Sequence, residues 1–469
     1  MPFAAPSKPC VGDFTATSNI LVVYVPPMKN LWMTSTVVSQ DPSSLFVSSA
    51  DRKISILRMD SPDLHLEEII DLNSSHKSPV LSIASISDHS FMTSSMSGHI
   101  DTYSAFDSRA PNPVAQHAKY AIQVIVTPSR FRTRLGNPFC LAASAGWDQT
   151  ICLYSFAPPL PQSSSPAANN DEIFAQPNTS PIGEAQTRLS LPTCPESILF
   201  VRHPDADELY LLVGRRDSTY LYYYQVLERP ESCQDDDDGL GLSTRYAGRQ
   251  NLAPHANSWV SFSPCCLACC PTDPTLIAVA TSHQPHMKLI LVRLLFPQSE
   301  HVAIANTTSS TDGPLNPPSN MLTHTSQATT PASQAAAELA LAEREEAAIN
   351  LHVSTMAPQT PYSRPQVVWR PDGSGLWVNG DDGTIRGVEA RTGKIVANLV
   401  GHEVGSKVRT LWAGMVRRGK QGRSAENNER REEEEENEEE EEQQIVTTEC
   451  LISGGFDKKA IIWDCSATS

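Results

Sequence analysis

No stretch of this 469-residue chain reaches eighteen apolar residues in a row. A helix needs about that many to cross a bilayer, so no membrane span is expected. The opening MPFAAPSKPCVGDF lacks a basic segment followed by an apolar core. It does not read as a secretory leader. Lys and Arg form no stripe interleaved with aromatics, which argues against direct nucleic-acid binding. There is no G-x-S-x-G, P-loop or H-E-x-x-H, and no dinucleotide fingerprint after a strand. No enzyme activity, catalytic residue or cofactor is therefore expected. Cys265-Cys266-Leu267-Ala268-Cys269-Cys270 contains CxxC spacing, but no second Cys or His pair lies near it. A zinc site needs four ligands, so these thiols read as core residues and no metal is expected. Eleven cysteines, an odd number, point to free thiols in a reducing compartment, the cytoplasm or nucleus. The sequons at Asn73, Asn178 and Asn306 are then expected to stay unmodified.

The net charge of −17 is concentrated. Residues 426–442 hold twelve Glu and two Arg, a net of −10, leaving −7 for the rest. Asp235 to Asp238 supplies four more negatives, so the folding part is close to neutral. Like charges at the density of the Glu run repel and build no core.

What the chain does contain is a repeated hairpin, clearest in its last residues, CLISGGFDKKAIIWDCSATS. Two short β-branched runs, Cys450 to Ser453 and Lys459 to Trp463, flank the tight turn Gly454-Gly455-Phe456-Asp457. Asp457 stands four residues after Ser453 and six before Trp463, and Gly401-His402 lies upstream. The same intervals recur at Ser144, Asp148 and Tyr154, with His117 upstream. Weaker copies hold Thr93, Ser97 and Tyr103, then Val213, Asp217 and Tyr223, then Asp382. This residue set closely resembles the WD-repeat β-propeller family. The resemblance implies a structural hydrogen-bond network, His402 to Asp457 with Ser453 between His402 and Trp463, and its counterpart in His117, Ser144, Asp148 and Tyr154.

Internal repeats decide a fold before other signals do. Once insertions are removed the units recur at roughly 40 residues, as four-stranded blades require. The expectation is an all-β, seven-bladed propeller of four-stranded antiparallel blades over residues 18–469, after a disordered segment at 1–17. The last unit stops at its third strand, and an uncovered sheet edge is a liability. The apolar run NILVVYV at residues 19–25 has no hairpin partner of its own. It is expected to pair with Lys459 to Trp463 and complete the last blade. Insertions of loop or disordered character are expected at about 157–183, 229–248, 307–362 and 417–444. The third contains AAAELALAEREEAA, a short solvated helix, and the fourth is the acidic run. The outer strand of the fifth blade is either residues 301–306 or 349–354.

In the resembled family the residue before each network aspartate faces out on the narrow side of the ring. Here those residues are Ala50, Met96, Trp147, Arg216, Asp381 and Phe456. An exposed Trp, Phe, Met and Arg together have hot-spot composition. The function expected is a non-enzymatic scaffold for protein–protein interactions through that face, a monomeric propeller within a larger complex. Two other readings stay open. Phe106-Asp107-Ser108-Arg109 is similar to the Trp-Asp-x-Arg box that implies docking to a cullin-4 ligase adaptor, though displaced three residues outward. The Glu-rich loop could serve an assembly factor or chaperone for basic partners.

Overall fold

The buried strands show how the chain is layered. Ser44–Ser49 is buried at every position, and Leu276–Thr281 at all but the first. A strand covered on both faces reads as a run of apolar and small residues, with no alternation. Outer strands such as Ile395–Val400 alternate instead, exposed positions interleaving with half-buried ones and the buried Leu399. Most of the middle strands therefore lie sandwiched between neighbouring sheets.

The computed structural model describes residues 21–23, 33–38, 44–50, 52–58, 65–71, 78–86, 90–104, 112–127, 131–132, 138–156, 187–228, 242–256, 262–297, 331–419 and 445–465. Its strands form antiparallel sheets, each ordered from an inner to an outer strand. Six blades are continuous runs of chain. They begin at inner strands Met33–Val38, Val80–Ser85, Ala121–Val126, Pro195–Arg202, Pro264–Cys269 and Val367–Trp369. The remaining sheet is composite: Val408–Gly419, Ile445–Gly455 and Ala460–Asp464 from one end of the chain, then Leu21–Val23 from the other. Leu21 pairs with Ile462, Val22 with Ile461 and Val23 with Ala460. Inner strands of successive sheets touch in order, and Val408–Gly419 returns to Met33–Val38. The product is an all-β propeller around a central channel.

The expectation of seven uniform four-stranded blades is corrected here. The continuous blades number six, and a further sheet exists only by joining both ends. The third blade is five-stranded, because Phe131–Arg132 pairs with Phe139 and Pro138.

Among the described residues there is no single core. Each buried cluster sits between two neighbouring sheets: Phe46, Ile54 and Ile56 pack on Val80 and Phe91, for example, and Trp377 and Ile385 on Leu451 and Trp463. The first and composite sheets are joined the same way, by Leu45, Val47 and Leu57 against Val416, Ile452 and Ile462. Polar staples link the inner strands as well. Ser82 Oγ accepts from Val124 N, Gln123 bonds both the N–H and the C=O of Ile198, and Ser197 Oγ donates to Pro264 O. Cys266 Sγ reaches Val367 O, and Asn379 Nδ2 donates to Val408 O at 2.7 Å. Each such bond contributes about 1 kcal/mol net.

Antiparallel order gives the ring two unlike faces. The turns between second and third strands lie on one face with the links between sheets, and none of those turns exceeds five residues. The long connections, at 157–186, 229–241, 294–348 and 420–444, all leave from the other face. Several expected bounds shift. Strand Leu242–Asn251 begins inside the expected loop 229–248. In 307–362, helix Pro331–Ala348 runs straight into Ile349–Pro358, and that strand is the outer edge of the fifth blade. The helix is anchored as well as solvated: Glu345 is buried and accepts from Asn251 N at 2.7 Å. The last insertion is narrower than 417–444, since strand runs to Gly419 and resumes at Ile445. Residues 1–17, 106–109 and 426–442 lie outside the described residues.

Candidate functional site

The short-turn face is built from repeated hairpins held by buried polar groups. In the composite sheet His402 Nδ1 donates to Asp457, at 2.9 Å from each carboxylate oxygen. Its Nε2 accepts from Ser453 Oγ at 2.8 Å, and Trp463 Nε1 donates to that same Oγ at 2.9 Å. Glu403 N adds a bond to Asp457 at 3.0 Å. In the third blade His117 Nδ1 lies 3.0 Å from Asp148, and Nε2 lies 2.8 Å from Ser144 Oγ. The Tyr154 hydroxyl lies 2.7 Å from that Oγ and takes the indole's place. Thr150 Oγ1 and Ala118 N complete the shell of Asp148. The glycine two residues before each aspartate has no substitute. A Cβ at Gly146 would stand 2.3 Å from His117 Nδ1, and one at Gly455 2.6 Å from Asp457 Oδ1.

The weaker copies satisfy their polar groups differently. Ser97, where an aspartate is missing, bonds Ser78 at 2.8 Å and Ser95 at 3.1 Å. Thr93 Oγ1 is buried with no hydrogen-bond partner among the described residues. Asp217 is exposed, in a left-handed conformation, and Tyr223 instead donates to Gln250 at 2.6 Å. Asp382 takes Arg386 as its partner, at 2.6 Å.

Burial and hydrogen bonding set the ionisation of this network. Burial holds His117 below its ordinary 6.5, against the pull of Asp148. Burial pushes the Asp148 carboxyl up, but the Ala118 N–H, the Thr150 hydroxyl and His117 outweigh it and hold it below 3.8. Asp457 is likewise held low, with His402 and two backbone N–H groups outweighing burial. His117 is thus neutral when folded, and the unfolded chain takes up its proton first as pH falls. The stability it supports is complete above 6.5 and is lost below it; the two aspartates act in the same direction below 3.8. We expect the melting temperature to fall between about pH 7 and pH 5, and His117→Gln to flatten that slope while lowering the curve. Thermal melts at a series of pH values check this; equal slopes would refute it.

The residues expected to face outward are only partly free. Trp147 is half-buried, against Tyr120 at 5.3 Å and under the Arg216 guanidinium at 4.5 Å. Arg216 also bonds Glu196. Phe456 is half-buried beneath Arg409, 5.4 Å from its ring centre. Asp381 accepts from Thr360 and Ser363 and pairs with Lys407 at 2.9 Å. Met96 is half-buried, and its backbone N bonds Pro79 O. The side chains expected to be exposed are half-buried here: Arg216 of the next blade lies over the Trp147 ring, and Arg409 of the same sheet lies over Phe456. The face gathers Trp147 with Arg216, and Phe456 with Arg409 and Asp381's partner Lys407.

Sequence reasoning missed the rim of the channel. In six sheets the pairing of the inner strand skips its second residue: Thr34, Leu81, Ile122, Glu196, Cys265 and Arg409. A bulged residue leaves the ladder, and its backbone polar groups need other partners. Arg364 supplies two, donating to Leu81 O at 3.0 Å and Ile122 O at 2.9 Å from the opposite side of the ring. Tyr362, just before it, is 85% exposed. The one available signal was position: Arg409 is the second residue of an inner strand, and Arg364 lies three residues before another.

Among the described residues, no three His, Cys, Asp or Glu side chains converge as a metal site would require. Cys265 and Cys266 each bond a backbone carbonyl, while Cys269 and Cys270 lie toward the far end of the strand. Burial raises the thiols of Cys265, Cys266 and Cys269, the last to about 11.

Residues 258–412 match a family model described as UCP007778, beta-propeller domain. The match covers less than half of the chain, from the fifth blade into the inner strand of the composite sheet. No curated protein matches the chain.

Proposed function

We propose that this propeller is a WD-repeat scaffold that binds other proteins on its short-turn face and performs no chemistry of its own. One observation carries the reading: the long connections all leave from the opposite face, so this face presents Trp147, Arg216 and Phe456 on turns of at most five residues, with Arg409 beside them on an inner strand. Trp147 with Arg216 and Phe456 with Arg409 pair the residue types that dominate binding hot spots. The Trp147 ring is held by Arg216 of the next blade and the Phe456 ring by Arg409 of its own sheet, so little side-chain freedom is lost on docking. The His–Asp pairs serve this face as turn braces, since each is already saturated by Ser, Thr and backbone partners.

The test is the double variant Trp147→Ala, Phe456→Ala. Each loses one cation–π contact, about 0.5–1 kcal/mol at a surface site. The melt should therefore stay cooperative and close to that of the parent. Binding to a purified partner identified by affinity capture should fall at least tenfold. Unchanged affinity in the folded variant would refute the reading.

A further inference from the structure

We infer that the channel mouth on the short-turn face is a docking site for an acidic peptide segment, gripped by Arg409 and Arg364 beside Tyr362. The inference rests on the reading of that face as a protein-docking surface and names the chemistry of the partner.

The argument starts from charge matching. At this rim Glu196 is taken by Arg216, and Asp381 by Lys407. Arg364 and Arg409 make no ion pair with the described residues. Arg364 spends its guanidinium on the two bulge carbonyls. Arg409 donates to Tyr362 O at 3.2 Å and lies over Phe456. Asp381 acts on Arg409 and Glu196 on Arg364 only from beyond ion-pair distance, each being held by another cation, so among the described residues this mouth carries an excess of positive charge in a chain of net charge −17. Burial lowers Arg409 to about 10, and the nearby Arg364 pushes in the same direction against the pull of Asp381, so an arriving carboxylate would relieve the remaining cost.

The site is also preorganised. Arg364 is fixed by its carbonyls and Arg409 by the Phe456 ring, so neither guanidinium must be ordered on binding. A guanidinium recognises a carboxylate through parallel N–H donors, which gives direction as well as attraction. Tyr362, 85% exposed and joined through its carbonyl to Arg409, offers an aromatic wall for the peptide. A nucleic acid fits less well. It would bring many phosphates to two cations on an acidic protein, with long-range repulsion opposing its approach.

The full-length chain should be titrated with a fluorescein-labelled ten-residue peptide of Asp, Glu, Gly and Ser, read by anisotropy. Its Asn/Gln counterpart and a labelled single-stranded oligonucleotide serve as controls. The acidic peptide should bind at least tenfold more tightly than either control, and more weakly as salt rises. Arg409→Gln should cost at least tenfold and Tyr362→Ala severalfold, both with unchanged melts. Arg364→Gln carries less information, because it also frees the bulge carbonyls and can loosen the ring. Equal binding of the Asn/Gln peptide, tighter binding of the oligonucleotide, or full affinity in folded Arg409→Gln would overturn the inference. If that happens while the Trp147, Phe456 variant still loses its partner, the docking face stands and only the acidic class is wrong.

Discussion

Trp463→Ala is expected to destabilise the propeller by about 3–5 kcal/mol, the usual range for emptying a buried aromatic site. Trp463 is 2% exposed and sits between the sixth blade and the composite sheet, with Trp377, Ile385, Leu451 and Ile461. Truncation removes that packing and also takes the indole donor from Ser453 Oγ. Ser453 would then hold His402 without its second partner, and the turn that carries Phe456 would loosen. Urea unfolding should show the midpoint falling steeply, with the peptide-binding face lost alongside. Trp463→Tyr separates the two contributions. Tyr154 already performs this task in the third blade, its hydroxyl 2.7 Å from Ser144. The Tyr variant should therefore retain most of the stability. Equal losses for Ala and Tyr would show that shape alone matters and that the shared hydrogen bond does not.

The second large effect concerns closure. Leu21–Val23 completes the composite sheet through backbone pairing with Ala460–Asp464. Proline at Val22 cannot donate to that ladder and fits poorly in a paired strand. With the strand released, the edge of Ala460–Asp464 is uncovered, and unpaired edges invite association between chains. Val22→Pro should lower the unfolding midpoint markedly and raise concentration-dependent aggregation, both visible by light scattering during a melt. A variant that melts like its parent and stays monodisperse would show that the strand contributes nothing.

Much of the ring was legible in the residues, for a local reason. A tight hairpin fixes the distance between Ser453, Asp457 and Trp463 in sequence as in space, and Ser144, Asp148 and Tyr154 repeat it. The unpaired apolar run at 19–25 was legible by the same logic, as a strand without a neighbour. What stayed hidden depends on distant chain. Arg364 lies 283 and 242 residues from the carbonyls it binds, and no local pattern announces such a bond. The outer edge of the fifth blade was open between two β-branched segments, and the helix docked through Glu345 decides for Ile349–Pro358. Asp217 matched the spacing of a network residue but has no upstream histidine or hydroxyl to bind, so it turns to solvent. Trp147 looked exposed because its cover, Arg216, comes from the next blade.

A cross-link tests the joining of the two chain ends most directly. Val22 and Ile461 are register partners across the composite sheet. In Val22→Cys, Ile461→Cys, mild oxidation should give a disulfide-closed species that runs faster on a non-reducing gel and returns to the parent position on reduction. Neither single variant should do so, and the closed form should melt higher than the reduced one, since tying residues so far apart in sequence constrains the unfolded chain. Absence of the fast species in a folded double variant would place these segments apart and contradict the closed ring.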